Sequence, residues 1–374
     1  MPAAGEFMGL KVMPDFYTFR NSNRSYILDL FEMKTRLLSL FLLALAISSQ
    51  AQDKLFTAAD YLNRDLLPES ISNLTWQGNT SFFTWTDDNC LIRKNAADPI
   101  AADTLISLSG INEKMKEIKD AALNRFPSVI WVDNERFYFT NETIVFLFDL
   151  TSNSIIRANE YDNDAENVTI DTKTRNVAYT IKNNLFVAVN GTKIRVTDEK
   201  NEDIVYGQVP SRNEFGINEG VYWSADGRLL AFYRIDQTEV SDYPQVDLSG
   251  RIAVAAPIKY PMAGMKSQKL KLGIFNYELN EIVYLQTDGP ENQYITSVTW
   301  DPAGEFIYAG ILNRGQDHLQ VNKYEAATGR HVKTLFEERN DRYVEPLNQL
   351  YFAEEDPGKF IWQSRRDGWN HLYL

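Results

Sequence analysis

The feature that most limits what this chain can fold into is a unit that recurs along it: an aromatic or apolar residue, a turn rich in Asp, Asn or Gly, then an apolar run. It reads LTWQGNTSFFTW from Leu74, VIWVDNERFYF from Val129, DTKTRNVAYTI from Asp171, VYWSADGRLLAFY from Val221, VTWDPAGEFIYAG from Val298 and LYFAEEDPGKFIW from Leu350. Trp223 to Gly227 and Trp300 to Gly304 have the same spacing. Glycine there suits the left-handed position of a short hairpin, and the β-branched and aromatic runs suit paired strands. A second hairpin follows several units, from Phe146, Leu185, Gly273 and Val321, so each supplies three or four strands in meander order. Irregular repeats about 40 to 77 residues apart with this content read as propeller blades. A sandwich, the all-β alternative, does not predict the repetition.

Composition narrows the partners. The 38 basic and 51 acidic residues leave a formal charge of -13, which argues against a nucleic acid held through its phosphates. Cys90 is the single cysteine, so no intrachain disulfide forms, and it reads as a small buried hydrophobe. His318, His331 and His371 lie apart with no ligand spacing, so neither a metal nor another cofactor is expected.

From Met33 the chain reads MKTRLLSLFLLALAISSQAQ: Lys34 and Arg36 form a basic region, Leu37 to Ile47 an apolar one, and Ser49-Gln50-Ala51 a small-x-small cleavage site. Residues 33–51 are therefore expected to be a signal peptide directing export to the periplasm or outside. The apolar run is short of the roughly 20 residues of a membrane span. Residues 1–32 read as an upstream extension from a misplaced start, and 52–374 as the folded propeller. Residues 111–125, INEKMKEIKDAALNR, have apolar spacing nearer 3.6 and predict a short amphipathic helix between units.

Two stretches do not serve the repeat. SRNEFG, residues 211–216, places Arg212 and Glu214 just ahead of a Trp hairpin without strand alternation. Residues 241–267, SDYPQVDLSGRIAVAAPIKYPMAGMKS, stand where other units need a short turn, and insertions of that length are usually functional. Pro244, Pro257 and Pro261 stiffen the path, and IAVAAPI is too apolar for a solvated loop.

VYWSADGRLLAFYRIDQTEVSDYP, IKYPMAGMKSQKLKLGIFN, SVTW and RRDGWNHLYL resemble the amino-terminal β-propeller of the dipeptidyl peptidase IV family, serine exopeptidases of the prolyl oligopeptidase clan. The resemblance is best over residues 205–374. It implies an eight-bladed propeller, here incomplete at about five to six blades and stopping inside a blade, and a following α/β-hydrolase domain carrying a Ser, Asp and His triad. It also implies cleavage after a penultimate proline or alanine and recognition of the substrate's free amino terminus by glutamates in the fourth blade, at the place of 211–219. A comparable blade-four arm makes homodimers in the family, which would give 241–267 that role. Many members carry adjacent glutamates, whereas here Asn213 precedes Glu214, an arrangement that resembles bacterial prolyl tripeptidyl peptidases. The family's carbonyl-binding arginine has no assignable match; Arg136 is only nearby.

The chemistry also stands without the family. An α-ammonium with a pKa of about 7.7–8.0 is mostly charged at neutral pH and needs a carboxylate when desolvated. At about 4 Å and an effective dielectric near 20, the Coulomb attraction is on the order of 4 kcal/mol before desolvation. Glu214 is the candidate, with Arg212 as a second substrate-binding candidate; in an extended stretch the two would share a face and simply pair. The chain has no Gly-x-Ser-x-Gly elbow, so no catalytic residue is expected in it. The functions that remain are the substrate-selecting part of an exported proline-specific serine exopeptidase, a noncatalytic periplasmic or surface binding module, and an interaction scaffold.

Overall fold

The computed structural model describes residues 56–63, 66, 71–98, 102–353 and 356–374. The expected signal peptide and upstream extension lie outside them. The chain divides into two units, 1–70 and 71–374. In the first, a short helix, Ala58–Leu62, starts on a capping box in which Thr57 and Asp60 bond each other's backbone amides.

The second unit is a procession of antiparallel sheets in chain order. The first takes strands Ser72–Trp76, Phe82–Asp87, Cys90–Asn95 and Ala102–Ser107; the second runs from Ile130 to Glu160, the third from Glu166 to Arg195, and each has four strands. The fourth combines Ile204–Tyr206, Val221–Trp223, Leu229–Asp236, Lys269–Asn276 and Glu281–Tyr284. The fifth runs from Tyr294 to Arg339 in four strands, and the sixth from Tyr351 to Tyr373 in three. Neighbouring strands are sequence neighbours in the regular sheets, so the meander read from the repeats is the observed topology, and each sheet is a blade of an incomplete propeller. Alternate faces of each strand pack against adjoining blades, and the central strands are buried on both, as where Phe146 and Phe148 face one core and Val145 and Leu147 another.

The recurring aromatics do more than fill space. The Trp131 indole N–H donates to Thr84 Oγ1 of the preceding blade at 3.0 Å. Trp223 reaches the Thr169 carbonyl at 3.5 Å, Trp300 the Tyr222 carbonyl at 2.9 Å and Trp362 the Glu338 carboxylate at 2.8 Å, each also one blade back. The turns stack in the same order. Gly78 meets the Asp133-Asn134 turn so closely that a Cβ would stand 2.4 Å from Asn134 Oδ1, and one on Gly227 would stand 2.6 Å from Thr174. Both glycines also have positive φ, so backbone sterics and the neighbouring turn require the same residue.

The helix between the first two blades is shorter than its spacing predicts: it spans Leu108–Glu117, not 111–125. Ser107 caps its start, and Lys119 takes a left-handed conformation that ends it, with Asp120 N–H bonding back to Met115 O at 2.9 Å. Asn112 then grips both the N–H and the carbonyl of Leu123. Leu123 and Phe126 therefore reach the same core as Ile111 and Met115 from a loop, which is why the apolar spacing continues past the last helical turn. Cys90 is only half-buried at the head of its strand, short of the burial expected from composition.

Contact between the fourth and fifth blades turns on Tyr233, fully buried, whose hydroxyl donates to the Ile295 carbonyl at 2.9 Å. Burial holds that hydroxyl protonated well above the ordinary tyrosine range. Tyr233→Phe leaves the carbonyl without its donor, and the expected loss is about 1–3 kcal/mol, read as a lower denaturant midpoint at unchanged m-value. An unchanged midpoint would mean that this bond does not join the blades.

Candidate functional site

SRNEFG forms a kinked 3-10 turn, Ser211–Gly216, on the connection between the first two strands of the fourth blade. It is not the extended stretch in which Arg212 and Glu214 would pair, because the backbone reverses hand repeatedly. Ser211, Arg212, Asn213 and Phe215 all have φ between 53° and 65°, while Glu214 between them is extended at φ -70°, ψ 162°. Only glycine adopts the left-handed region at little cost, and each non-glycine residue there stores on the order of 1 kcal/mol or more. Such strain persists only where the surroundings fix it.

Three anchors do so. Phe215 is buried with its ring 4.7 Å from that of Tyr294 in the fifth blade. Gly216 lies flush on residue 347, where a Cβ would stand 2.1 Å from the Leu347 carbonyl oxygen. The Ser211 amide donates to Gln268 Oε1 at 3.0 Å, and Gln268 in turn donates to Gln237 Oε1 at 3.1 Å. The turn is thus tied to the fifth blade, to the approach to the sixth, and to both ends of the 241–267 insertion.

The anchors leave Glu214 facing solvent, and its carboxylate makes no hydrogen bond or ion pair with any described residue. Arg212 is also exposed, but its guanidinium sits 4.9 Å above the ring of Tyr260. The structure therefore separates the two sequence candidates: one is a free carboxylate, the other a cation stacked on the insertion. Arg136 is engaged elsewhere, its guanidinium held by Asp133 at 2.6 Å. A base that sequence reasoning passed over is Arg314, which bonds the hydroxyl of Tyr294 and lies 5.4 Å over its ring, on the ring that also carries Phe215. Nothing in its local sequence marks it, since the link runs through blade packing.

The insertion is an arm of two short antiparallel ladders, Asp242–Tyr243 with Ile258–Lys259 and Val246–Asp247 with Val254–Ala255. Lys259 fastens its root, reaching Asp203 at 3.3 Å and Asp242 at 3.2 Å. Its outer part is apolar and uncovered: Leu248 is 77% exposed and Ile252 80%. Among the described residues no group of three or more His, Cys, Asp or Glu is placed to hold a metal, and no helix is long and apolar enough to cross a membrane.

Residues 129–374 match the model of the dipeptidyl peptidase IV amino-terminal region. The chain belongs to that family. A solved structure from Bacteroides ovatus, described as a dipeptidyl aminopeptidase IV, superposes with a TM-score of 0.75 at 37% identity over 81% of this chain and 42% of its own. Porphyromonas gingivalis dipeptidyl peptidase 4 shares the fold at TM-score 0.64 and 21% identity, again over 81% of this chain and 45% of its own. Dipeptidyl peptidase 4 of Trichophyton tonsurans is 24% identical over 346 residues, 86% of this chain and 44% of the fungal protein. The chain thus spans less than half the length of these relatives, and the stretch that matches the family model contains the fourth blade.

Proposed function

We propose that the chain is the substrate-selecting propeller portion of a proline-specific serine exopeptidase that releases dipeptides or tripeptides, and that Glu214 binds the free amino terminus of the peptide. The observation that carries this reading is the unpartnered Glu214 carboxylate, presented to solvent by a turn whose strain three separate anchors maintain. A charged group left without a partner on a rigid, strained support is suited to a ligand rather than to stability. Family membership supplies the peptidase context. The single glutamate, preceded by Asn213, leaves both dipeptide and tripeptide release within this reading. Arg212, stacked on Tyr260, acts by holding the turn against the arm rather than as a primary ligand.

In the complete enzyme, Glu214→Gln keeps the side chain's size and removes the charge that pairs with the ammonium. Exposed pairs contribute about 0.2–1 kcal/mol and desolvated ones about 2–5 kcal/mol; with bound peptide covering Glu214, kcat/KM on free-amine substrates should fall roughly tenfold or more. An N-acetylated substrate should change little, and Arg212→Ala should cost less than Glu214→Gln. Equal activity of wild type and Glu214→Gln on free-amine peptides would remove Glu214 from the site.

The arm is proposed to join two copies of the protein. Its uncovered apolar tip supports this, since contiguous exposed apolar surface marks an interaction site. Deleting residues 244–257 should halve the light-scattering mass; an unchanged mass would contradict the dimer.

A further inference from the structure

A cavity of about 380 Å³ opens between the Val221–Trp223 strand of the fourth blade and the first strands of the fifth and sixth. Its lining brings together Glu219, Asp301, Tyr222, Trp223, Trp300 and Tyr351, and no Lys, Arg or His takes part in it. With Phe352, five aromatic rings and two carboxylates thus surround one space without a balancing cation among its lining residues.

Glu219 is the informative member. Among the described residues it makes no ion pair and its carboxylate no hydrogen bond, and the Tyr222 hydroxyl beside it donates to the Glu219 backbone carbonyl at 3.2 Å instead. The residue is exposed and lines the open cavity, and partial burial of its carboxylate there raises its pKa above the ordinary glutamate value. Burial is the only cause of that shift, so no neighbouring cation offsets it. Asp301 is tied by one oxygen to the Phe306 amide at 2.8 Å. The two indoles are fixed in advance, Trp223 by the Thr169 carbonyl and Trp300 by the Tyr222 carbonyl. Burial also drives the Tyr222 hydroxyl up to about 12, so it stays neutral and adds no competing charge.

A partly desolvated carboxylate without a partner is unfavourable alone and favourable beside a cation. Aromatic faces attract organic cations through the ring quadrupole and also accept an alkyl stem. We infer that this cavity binds an organic cation of the kind a lysine side chain carries, an alkylammonium whose stem lies on the aromatic rings and whose charge meets Glu219 and Asp301. The site is separate from the amine recognition assigned to Glu214 and does not depend on it.

The test titrates the full chain, with its indole nitrogens labelled with 15N, with N-acetyl-lysine amide. N-acetyl-norleucine amide serves as the uncharged control; neither probe has a free α-amine, so Glu214 does not enter. The expected result is a saturable shift of two indole signals, those lost in Trp223→Phe and Trp300→Phe, with the lysine probe alone. Glu219→Gln should weaken that binding about fivefold or more while the other indole signals stay in place, showing that the fold is intact. Equal responses to the lysine and norleucine probes, no response to either at millimolar concentration, or unchanged affinity in Glu219→Gln would each overturn the inference.

Discussion

An indole N–H reaching back to the preceding blade joins this structure together. Trp131, Trp223, Trp300 and Trp362 each bury an aromatic face between two sheets and place the one polar atom of the ring on an acceptor of the earlier sheet. Sheet twist favours a range of angles between packed sheets, but apolar burial itself is not directional and does not select one. A hydrogen bond has direction, and an indole left unpaired at a buried face would cost about 1–3 kcal/mol. The stacked turns at Gly78 and Gly227 add a steric limit, because atoms of the neighbouring turn stand too close for any side chain. Together these contacts set how one blade follows the next at every junction except that of the second and third blades.

That blade order places the functional elements. The SRNEFG turn belongs to the fourth blade but is held by Tyr294 of the fifth, by the chain at Leu347 leading to the sixth, and by Gln268 at the end of the arm. The strain at four left-handed non-glycine residues is therefore sustained by contacts distant in sequence, and its product is one carboxylate aimed at solvent. The arm leaves the same blade, and Arg212 on Tyr260 and the Gln237–Gln268 bond connect its root to the turn.

Much of the fold was legible because the hairpin unit repeats with its own punctuation: aromatic, turn glycine, apolar run. The six sheets, their meander order and the insertion at 241–267 follow from local pattern. The helix boundary was less legible, since Leu123 and Phe126 keep the helical spacing while serving the core from a loop gripped by Asn112. The site was legible only in outline. SRNEFG stood out by lacking strand alternation, but its reversal of hand did not, because Gly216 is the only glycine in a run of left-handed residues. Arg314 and the cavity beside Glu219 were invisible for the same reason: each is assembled by packing between blades, and nothing in the neighbouring sequence announces it.

The central claim is that one carboxylate on a strained turn receives the amino terminus of a peptide. A crystal structure of the complete protein with a non-cleavable proline-containing tripeptide tests it most directly. The account predicts the peptide's α-ammonium nitrogen within hydrogen-bonding distance of a Glu214 carboxylate oxygen, about 2.7–2.9 Å, with the turn unchanged. A peptide bound with its amino terminus on another carboxylate, Glu219 included, and Glu214 still in solvent would contradict it.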